Sequence, residues 1–195
     1  MADNSLKSYK KIFTPQGELG KVQKNPQLNF LMNIFNIPRI FGVSGFGDWD
    51  VGKHSLCTAF IALYWAKYRK YKAEKRDKLV TLAITHDLHE AVTGDILPFF
   101  KTQEVRGMID DIQDYITSYF SIEMTTDEKK ELKLLDMISF LYEIHRSNGG
   151  NRGEGVKLLG EIEKRQREDI EEYAKRIDIS EKNINIFLKE LGIEE

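Results

Sequence analysis

Apolar residues recur at helical spacing along most of this 195-residue chain. After a polar stretch over residues 1–25, a short helix is predicted over 28–35, and Pro38 ends it. Longer helices are predicted at about 51–71, 79–91, 101–121, 127–146, 154–176 and 180–192. β-Branched residues do not alternate with polar ones over the length of a strand. The pattern therefore predicts an all-α fold.

The chain is predicted to form one domain. Residues 1–25 contain Pro15, Gly17 and Gly20 and have no period, so they are interpreted as an N-terminal arm. Residues 26–195 contain neither a repeat of fixed period nor a low-complexity linker. They are expected to form a single bundle of six to seven helices, with the C-terminal helices at 154–192.

The predicted helix at about 51–71 follows a glycine-rich loop, RIFGVSGFGDWD, whose last residue, Asp50, is well placed as an N-cap. Four of its apolar positions keep to one side of the helix: Leu56, Phe60, Leu63 and Tyr64. Residues 67–78 carry seven Lys or Arg, which we interpret as a solvated helix end.

The segment LVTLAITHDLHEA, residues 79–91, begins with almost only apolar residues and ends with several polar, ligand-type residues. Such a change predicts a buried helix whose last turns line a cavity. Gly94 and Pro98 are expected to break this helix.

Composition limits the function classes. Apolar residues make up 41% and charged residues 31%, with a formal net charge of -2, so the whole-molecule field would not attract nucleic acid. Cys57 is the only cysteine, which excludes an internal disulfide and suits a reducing compartment. The sequence has no secretion signal and no apolar run of membrane-spanning length, so a cytoplasmic protein with no membrane partner is expected.

Ligand-type side chains stand beside several apolar helices: His54, His86, Asp87, Glu90, Asp95 and Asp136. Neighbouring helix residues diverge by about 100°, so His86 and Asp87 can hold one ion only near a helix end or from the groove between them. A mixture of imidazoles and carboxylates accepts Mn, Co, Fe, Mg or Zn without distinguishing among them. One such divalent ion with open coordination positions is suited to phosphate-ester hydrolysis.

At this point a family resemblance becomes specific. His54, then His86-Asp87 within THDLHEAVTGDILPFFK, then Asp136 within LKLLDMISFLYEI, resemble the H…HD…D signature of HD-domain phosphohydrolases. HDxxE followed by GDxxP and Lys resembles the branch that contains bacterial 5'-deoxynucleotidases and related phage nucleotide hydrolases. The resemblance covers residues 28–145 and implies a helical HD domain whose metal ligands are His54, His86, Asp87 and Asp136.

The resemblance also implies roles around the metal. Glu90 would be the acid–base or water-orienting group, and Asp95 would assist the water or bind the sugar hydroxyl. An Arg precedes the first metal His by about fifteen positions in that branch, and Arg39 holds this place here. It would grip the substrate phosphate, with Lys101 as a second phosphate partner.

The chain departs from the family pattern at two positions, with Ile40 where Trp is common and Lys53 where Glu is common. Lys53 and Trp49 are further candidate substrate-binding residues, and Trp49 either packs the glycine-rich loop or covers a base. His89 is interpreted as a structural residue pointing away from the face of His86 and Glu90. His145 and Cys57 are expected to have no catalytic role.

These residues predict a nucleotide phosphohydrolase, with a 5'-deoxyribonucleotidase as the first interpretation. Two enzymes with the same site are alternatives: a deoxynucleoside triphosphate triphosphohydrolase and an alarmone hydrolase. A nucleotide sensor or a nucleic-acid-binding module that uses residues 67–78 would not be enzymes, and the complete ligand set argues against both. The expected partner is a small-molecule nucleotide, not nucleic acid, and the resemblance adds a homodimer as an expectation.

Overall fold

The computed structural model describes residues 28–39, 47–96, 101–148 and 154–193. Their helices are α1 (Leu28–Leu31), a 3-10 helix (Met32–Asn36), α2 (Val51–Tyr68), α3 (Ala73–Thr85), α4 (Glu90–Thr93), α5 (Gln103–Tyr119), α6 (Thr126–Asn148), α7 (Glu154–Arg176) and α8 (Glu181–Glu190). Six of them have ten residues or more, which confirms the all-α prediction. The N-terminal arm, most of the glycine-rich loop and Pro98 lie outside the described residues, and the division between residues 25 and 26 stays a prediction.

Side-chain caps begin several of the long helices. The Asp50 carboxylate accepts a hydrogen bond from the backbone N–H of Lys53 at 2.7 Å and so caps α2, as predicted. A reciprocal pair begins α6: Thr125 Oγ1 accepts from the N–H of Glu128, and Glu128 Oε2 accepts from the N–H of Thr125. These caps satisfy N–H groups that have no partner within their own helix.

The main core lies between α2, α3, α6, α7 and α8. Trp65 of α2 is fully buried and meets Phe187 of α8 edge to face, with ring centroids 4.8 Å apart. Leu135 and Ile138 of α6 are fully buried in the same cluster. Burial of each such side chain contributes about 1.5 to 3 kcal/mol, so this core fixes α2, α3 and α6 relative to one another.

The start of α2 is clamped to the segment that carries Arg39. The N–H of Val51 donates to the carbonyl of Ile37, and the N–H of Arg39 donates to the carbonyl of Trp49, both at 3.0 Å. These two bonds hold Arg39 close to the first turn of α2, where His54 lies.

The structure shows which side of α2 is buried and corrects the bounds of α3. The apolar stripe of α2 (Leu56, Phe60, Leu63 and Tyr64) is not the buried side, since these side chains remain 40 to 54% exposed. The buried side of α2 consists mainly of small and polar residues, which allow close helix packing. The predicted helix at 79–91 begins earlier, at Ala73, and ends at Thr85.

The basic run at 67–78 spans the end of α2, a turn and the start of α3. Lys75 and Lys78 pair with Glu131 and Glu128 of α6. Mostly exposed positions agree with the interpretation as solvated helix ends. No helix in the described ranges is long and apolar enough to cross a membrane.

Candidate metal centre

Three separate segments bring the four predicted metal ligands together. His54 lies in the first turn of α2, Asp136 lies on α6, and His86 and Asp87 follow the last residue of α3. His54 Nε2 is 3.1 Å from Asp136 Oδ1 and 3.5 Å from Asp87 Oδ2. His86 Nε2 is 3.2 Å from Asp87 Oδ2 and 3.8 Å from Asp136 Oδ1. One ligand-type atom each from His54, His86 and Asp136 lie within 4.8 Å of one another, and Asp87 contacts both imidazoles from beside them.

These separations fit a single divalent ion. Ligand atoms that each lie about 2.0 to 2.2 Å from an ion are roughly 3.0 to 3.5 Å from one another in octahedral or tetrahedral geometry. The four distances between an imidazole nitrogen and a carboxylate oxygen, 3.1 to 3.8 Å, are close to that range. His86 and Asp87 can face the same point because α3 ends just before them, as their adjacency required.

Each imidazole is held so that Nε2 faces the cluster. His86 Nδ1 is 2.7 Å from the carbonyl oxygen of Ala83, so it donates a proton there, and Nε2 is the nitrogen that can offer a lone pair to a metal ion. His86 Nε2 is buried and has no hydrogen-bond partner among the described residues. His54 Nδ1 contacts the carboxylate of Glu143. An unpartnered buried nitrogen directed at two carboxylates is what a metal ligand requires.

Electrostatics also favour a cation at this point. Burial alone would lower the pKa of His86, but the carboxylates of Asp87 and Asp136 hold it well above its ordinary value. Burial alone would raise the pKa of Asp136, but its hydrogen bond with His54, the neighbouring imidazole of His86 and the charge of Lys133 hold that pKa well below its ordinary value. Protons on the imidazoles balance the carboxylates here, and a divalent ion would displace them.

Glu90 lies beside the cluster in a different charge state. It begins α4, is 3% exposed, and its Oε2 has no hydrogen-bond partner within the described part of the chain. Burial and the negative charges of Asp87 and Asp95 raise the pKa of Glu90 to about 9. The structure thus places both predicted acid–base residues near the ligands, with Asp95 half-buried and within electrostatic range.

Arg39 is also part of this group. Its side chain is 11% exposed, with Nη1 at 3.7 Å from Asp87 Oδ2 and Nε at 3.4 Å from Glu143 Oε2. Burial alone would lower the pKa of Arg39, but the charges of Glu143 and Asp87 raise it above its ordinary value. Lys101 is close enough for its charge to act on Glu90, which places it on the same side of the site.

Lys53 and Trp49 are not brought together with these ligands. Lys53 Nζ contacts the carbonyl of Asp48 and the carboxylate of Asp50. Both residues line a cavity of about 470 Å³ beside α2, together with Leu56, Phe60 and Tyr64 of its exposed apolar stripe. Trp49 packs against Ile144 and Leu159. That contact supports the packing role for Trp49 rather than the base-covering one.

A larger cavity of about 860 Å³ opens onto the cluster of proposed metal ligands, and His86 and Asp136 both line it. Part of its wall comes from α5, including Gln113, and part from the start of α6, where three lysines occur: Lys129, Lys130 and Lys133. This cavity gives the ligand cluster access to a small molecule.

The prediction that His89 points away from the site is wrong. Because α3 ends at Thr85 and residues 86–89 form turns, His89 is not placed as in a continuous α-helix, and it lines the same cavity as His86. Its Nδ1 is 3.0 Å from Gln113 Oε1, and Gln113 Nε2 donates to the carbonyl of Thr85. One ligand-type atom each from Asp87, His89 and Glu90 lie within 4.8 Å of one another. A structural role for His89 is retained through Gln113.

The surroundings of His145 and Cys57 agree with the expectation that neither residue has a catalytic role. His145 Nδ1 is 2.9 Å from Glu163 Oε1 of α7, which makes it part of a helix–helix contact. Burial raises the pKa of the Cys57 thiol to about 11, so little thiolate is present at neutral pH.

Sequence reasoning missed two charged residues that contact the ligands. Lys133 Nζ donates to Asp136 Oδ2 at 2.7 Å, and the fully buried Glu143 contacts His54. Their spacing offered a signal: Lys133 and Glu143 lie three residues before and seven after Asp136, on the same side of α6.

An all-α bundle with clustered imidazoles and carboxylates has the residues that a metal-dependent hydrolase needs. The model of the family described as HD domain matches residues 49–189. The chain therefore belongs to the HD-domain family, which confirms the phosphohydrolase superfamily that the H…HD…D signature predicted. No curated protein sequence gives a significant match.

A solved structure supports the fold. The chain is similar to the cyanophage S-2L HD phosphohydrolase DatZ, solved with bound dA and one catalytic Zn²⁺ ion. The TM-score is 0.63 at 12% sequence identity, over 86% of this chain and 98% of DatZ. Because the identity is low, this match supports the helical architecture.

Proposed function

We propose that this protein is a divalent-metal-dependent nucleotide hydrolase whose substrates are deoxyribonucleoside 5'-monophosphates, from which it releases phosphate. The observation that carries the proposal is the convergence of His54, His86, Asp87 and Asp136 around one point, beside a cavity large enough for a nucleotide. A nucleotide sensor would not need the buried Glu90 next to an intact ligand set.

The four ligands would hold one ion of the Mn, Co, Fe, Mg or Zn group. A bound ion supplies Lewis acidity toward a phosphate oxygen and lowers the pKa of a neighbouring water. The presence of catalytic Zn²⁺ in DatZ supports zinc as the first ion to test. Lys133 pairs with the outer oxygen of Asp136 and so leaves the other oxygen directed at the cluster.

Glu90 is assigned the acid–base role. Its Oε2 is buried and has no hydrogen-bond partner among the described residues. This oxygen is therefore able to accept a proton from, or donate one to, a bound water or substrate. In the metal-free state the raised pKa keeps it protonated at neutral pH, and a nearby cation would lower that pKa. Asp95 would help to hold the attacking water or the sugar.

Arg39 and Lys101 are assigned to the phosphate. The guanidinium of Arg39 is within reach of two carboxylates, and a bound phosphate would offer it two oxygens in the same plane. Lys53 and Trp49 line the other cavity, so they are left out of this contact. The dA bound to DatZ supports a deoxynucleoside as the part of the substrate that fills the cavity.

One observation favours a second candidate, a deoxynucleoside triphosphate hydrolase. Lys129, Lys130 and Lys133 lie along the cavity wall next to Asp136. Three cationic side chains in that position would suit a longer phosphate chain than a monophosphate provides.

The test is a product assay on the purified protein with a panel of deoxyribonucleoside and ribonucleoside mono- and triphosphates and guanosine tetraphosphate. Each reaction is run with Zn²⁺, Mn²⁺, Co²⁺ and Mg²⁺, and phosphate, pyrophosphate and triphosphate are measured separately. Phosphate from deoxynucleoside monophosphates is expected. Triphosphate release from triphosphates would instead select the second candidate.

A matched pair of variants links any activity to the cluster. His86→Ala removes a proposed ligand, whereas His145→Ala removes a partly exposed histidine paired with Glu163. Activity should disappear in the first variant and persist in the second. Hydrolysis that survives His86→Ala at the parent rate would contradict the proposal.

A further inference from the structure

Glu143 is a fully buried carboxylate that the proposed chemistry does not use. It lies on α6 seven residues after Asp136, with Ser139 between them, so all three share one face of the helix. That face is directed at α2, where His54 is also fully buried. Removal of such a charge from water carries a large cost unless specific partners compensate it.

The two oxygens of Glu143 have different partners. Oε1 contacts His54 Nδ1, and Ser139 Oγ lies 3.4 Å from the same oxygen. Oε2 forms an ion pair with Arg39 Nε at 3.4 Å, and neither of these two buried atoms has a hydrogen-bond partner among the described residues. One carboxylate thus touches both a proposed metal ligand and the proposed phosphate ligand.

We propose that Glu143 is a positioning residue that sets the tautomer of His54 and the orientation of Arg39 together. This inference rests on the proposed function of the site. By accepting the proton of His54 Nδ1, Glu143 keeps the lone pair on Nε2, the atom that faces Asp87 and Asp136. By pairing with Arg39 Nε, it leaves Nη1 on the side of Asp87 and the metal cluster.

Only a carboxylate on a side chain as long as glutamate can accept from both donors, His54 Nδ1–H and Arg39 Nε–H. A glutamine offers one acceptor oxygen, and its amide N–H₂ must then face either Arg39 Nε–H or His54 Nδ1. In the first arrangement, the glutamine N–H₂ and Arg39 Nε–H are two donors that face each other without an acceptor. In the second, the amide donates to Nδ1 and moves the imidazole proton to Nε2, which blocks metal ligation. Aspartate is one methylene shorter and cannot reach as far as glutamate.

The experiment compares Glu143→Gln and Glu143→Asp with Glu131→Gln. Glu131 is a suitable control because it lies on the same helix and accepts hydrogen bonds from Trp65 and Tyr71, among residues of the main core. For each folded variant, the Zn²⁺ dissociation constant is measured by competition with a chelating dye. KM and kcat are then measured at saturating Zn²⁺, together with the Tm.

Zn²⁺ affinity should fall about 10- to 100-fold in the Glu143 variants, the usual effect of losing an outer partner of a metal ligand. KM should also rise at saturating Zn²⁺, because Arg39 loses its alignment. Glu131→Gln should lower the Tm and leave the Zn²⁺ dissociation constant within about twofold of the parent. A Zn²⁺ dissociation constant that stays at the parent value in every folded Glu143 variant would overturn the inference.

The Zn²⁺ measurement needs no substrate, so it separates this inference from the proposed function. If the parent binds Zn²⁺ but hydrolyses no nucleotide, the proposed function fails and the His54 part of the inference is still decided. If nucleotides are hydrolysed and Glu143→Gln binds Zn²⁺ as the parent does, the positioning role fails alone.

Discussion

Glu90→Gln is expected to stabilise the metal-free protein while removing most of its activity. The side chain is 3% exposed and carries an unpartnered oxygen, and its pKa is raised to about 9 by burial and by the charges of Asp87 and Asp95. In the unfolded chain the same carboxyl titrates near its ordinary value of 4.5. Between these two values the unfolded state is ionised and the folded state is protonated.

The sign of the effect follows from this difference. A group whose folded pKa is raised gives its full contribution to stability below pH 4.5, and the contribution is lost as the pH rises toward 9. Each pH unit in that window costs about 1.4 kcal/mol, so at pH 7 the cost is of the order of 3 kcal/mol. Glutamine is neutral throughout, so Glu90→Gln should raise the Tm at pH 7 by about 6 to 12 °C and change it little at pH 4.5.

The assay is thermal unfolding of parent and variant in a chelator from pH 4.5 to 8.5, followed by kinetics with Zn²⁺ restored. His54 and His86 titrate in both proteins, so their contribution largely cancels in the difference. Turnover should fall about 10²- to 10⁴-fold, the usual contribution of a positioned acid–base group. A variant less stable than the parent at pH 7, or one with activity within about threefold of the parent, would refute this account of Glu90.

Other perturbations test the rest of the site. His86→Ala and Asp136→Ala should each reduce bound metal to well below one ion per chain, measured by elemental analysis, and parent stoichiometry in both folded variants would rule out the assignment. Arg39→Lys should lower kcat/KM about 10- to 100-fold with little change in Tm, since a phosphate is then held by one contact instead of two. A lowered Tm with unchanged kcat/KM would make Arg39 structural. Chelation should lower the Tm, because metal at about 100 times its dissociation constant adds about 2.7 kcal/mol to the folded state. Gly52→Ala should destabilise by about 1 to 3 kcal/mol by chemical denaturation, since an added Cβ would lie 2.3 Å from the ring of Phe35.

Much of the fold could be predicted because its determinants are local. Asp50 marks the start of α2 through its own side chain, and Gly94 follows the end of α4 with a φ of 72° that favours glycine. The proposed metal ligands could be selected from the sequence because their residue types and order resemble a family signature. Their convergence then follows from the packing of α2, α3 and α6.

Other features depend on tertiary contacts that spacing does not encode. Thr85 is the last residue of α3, yet no glycine or proline follows it until Gly94. The sequence therefore predicts a helix that continues past Thr85, and with it the wrong direction for the His89 side chain. Lys53 and Trp49 lie near His54 in sequence, but Lys53 is on the outer side of α2, and they line a different cavity. In the sequence, Glu143 looks like any surface glutamate of a long helix. Its burial results only from the packing of α2 against α6.

The end of α3 at Thr85 shows a compromise between local stability and geometry. Residues 86–89 form turns where a continuous helix would satisfy more backbone groups, and this interruption lets two consecutive side chains meet the same ion. Selection for thermal stability alone would favour substitutions that extend α3 through this turn. Such changes would rotate His86 and Asp87 apart, so the variants gaining the most stability here would be those that lose the site.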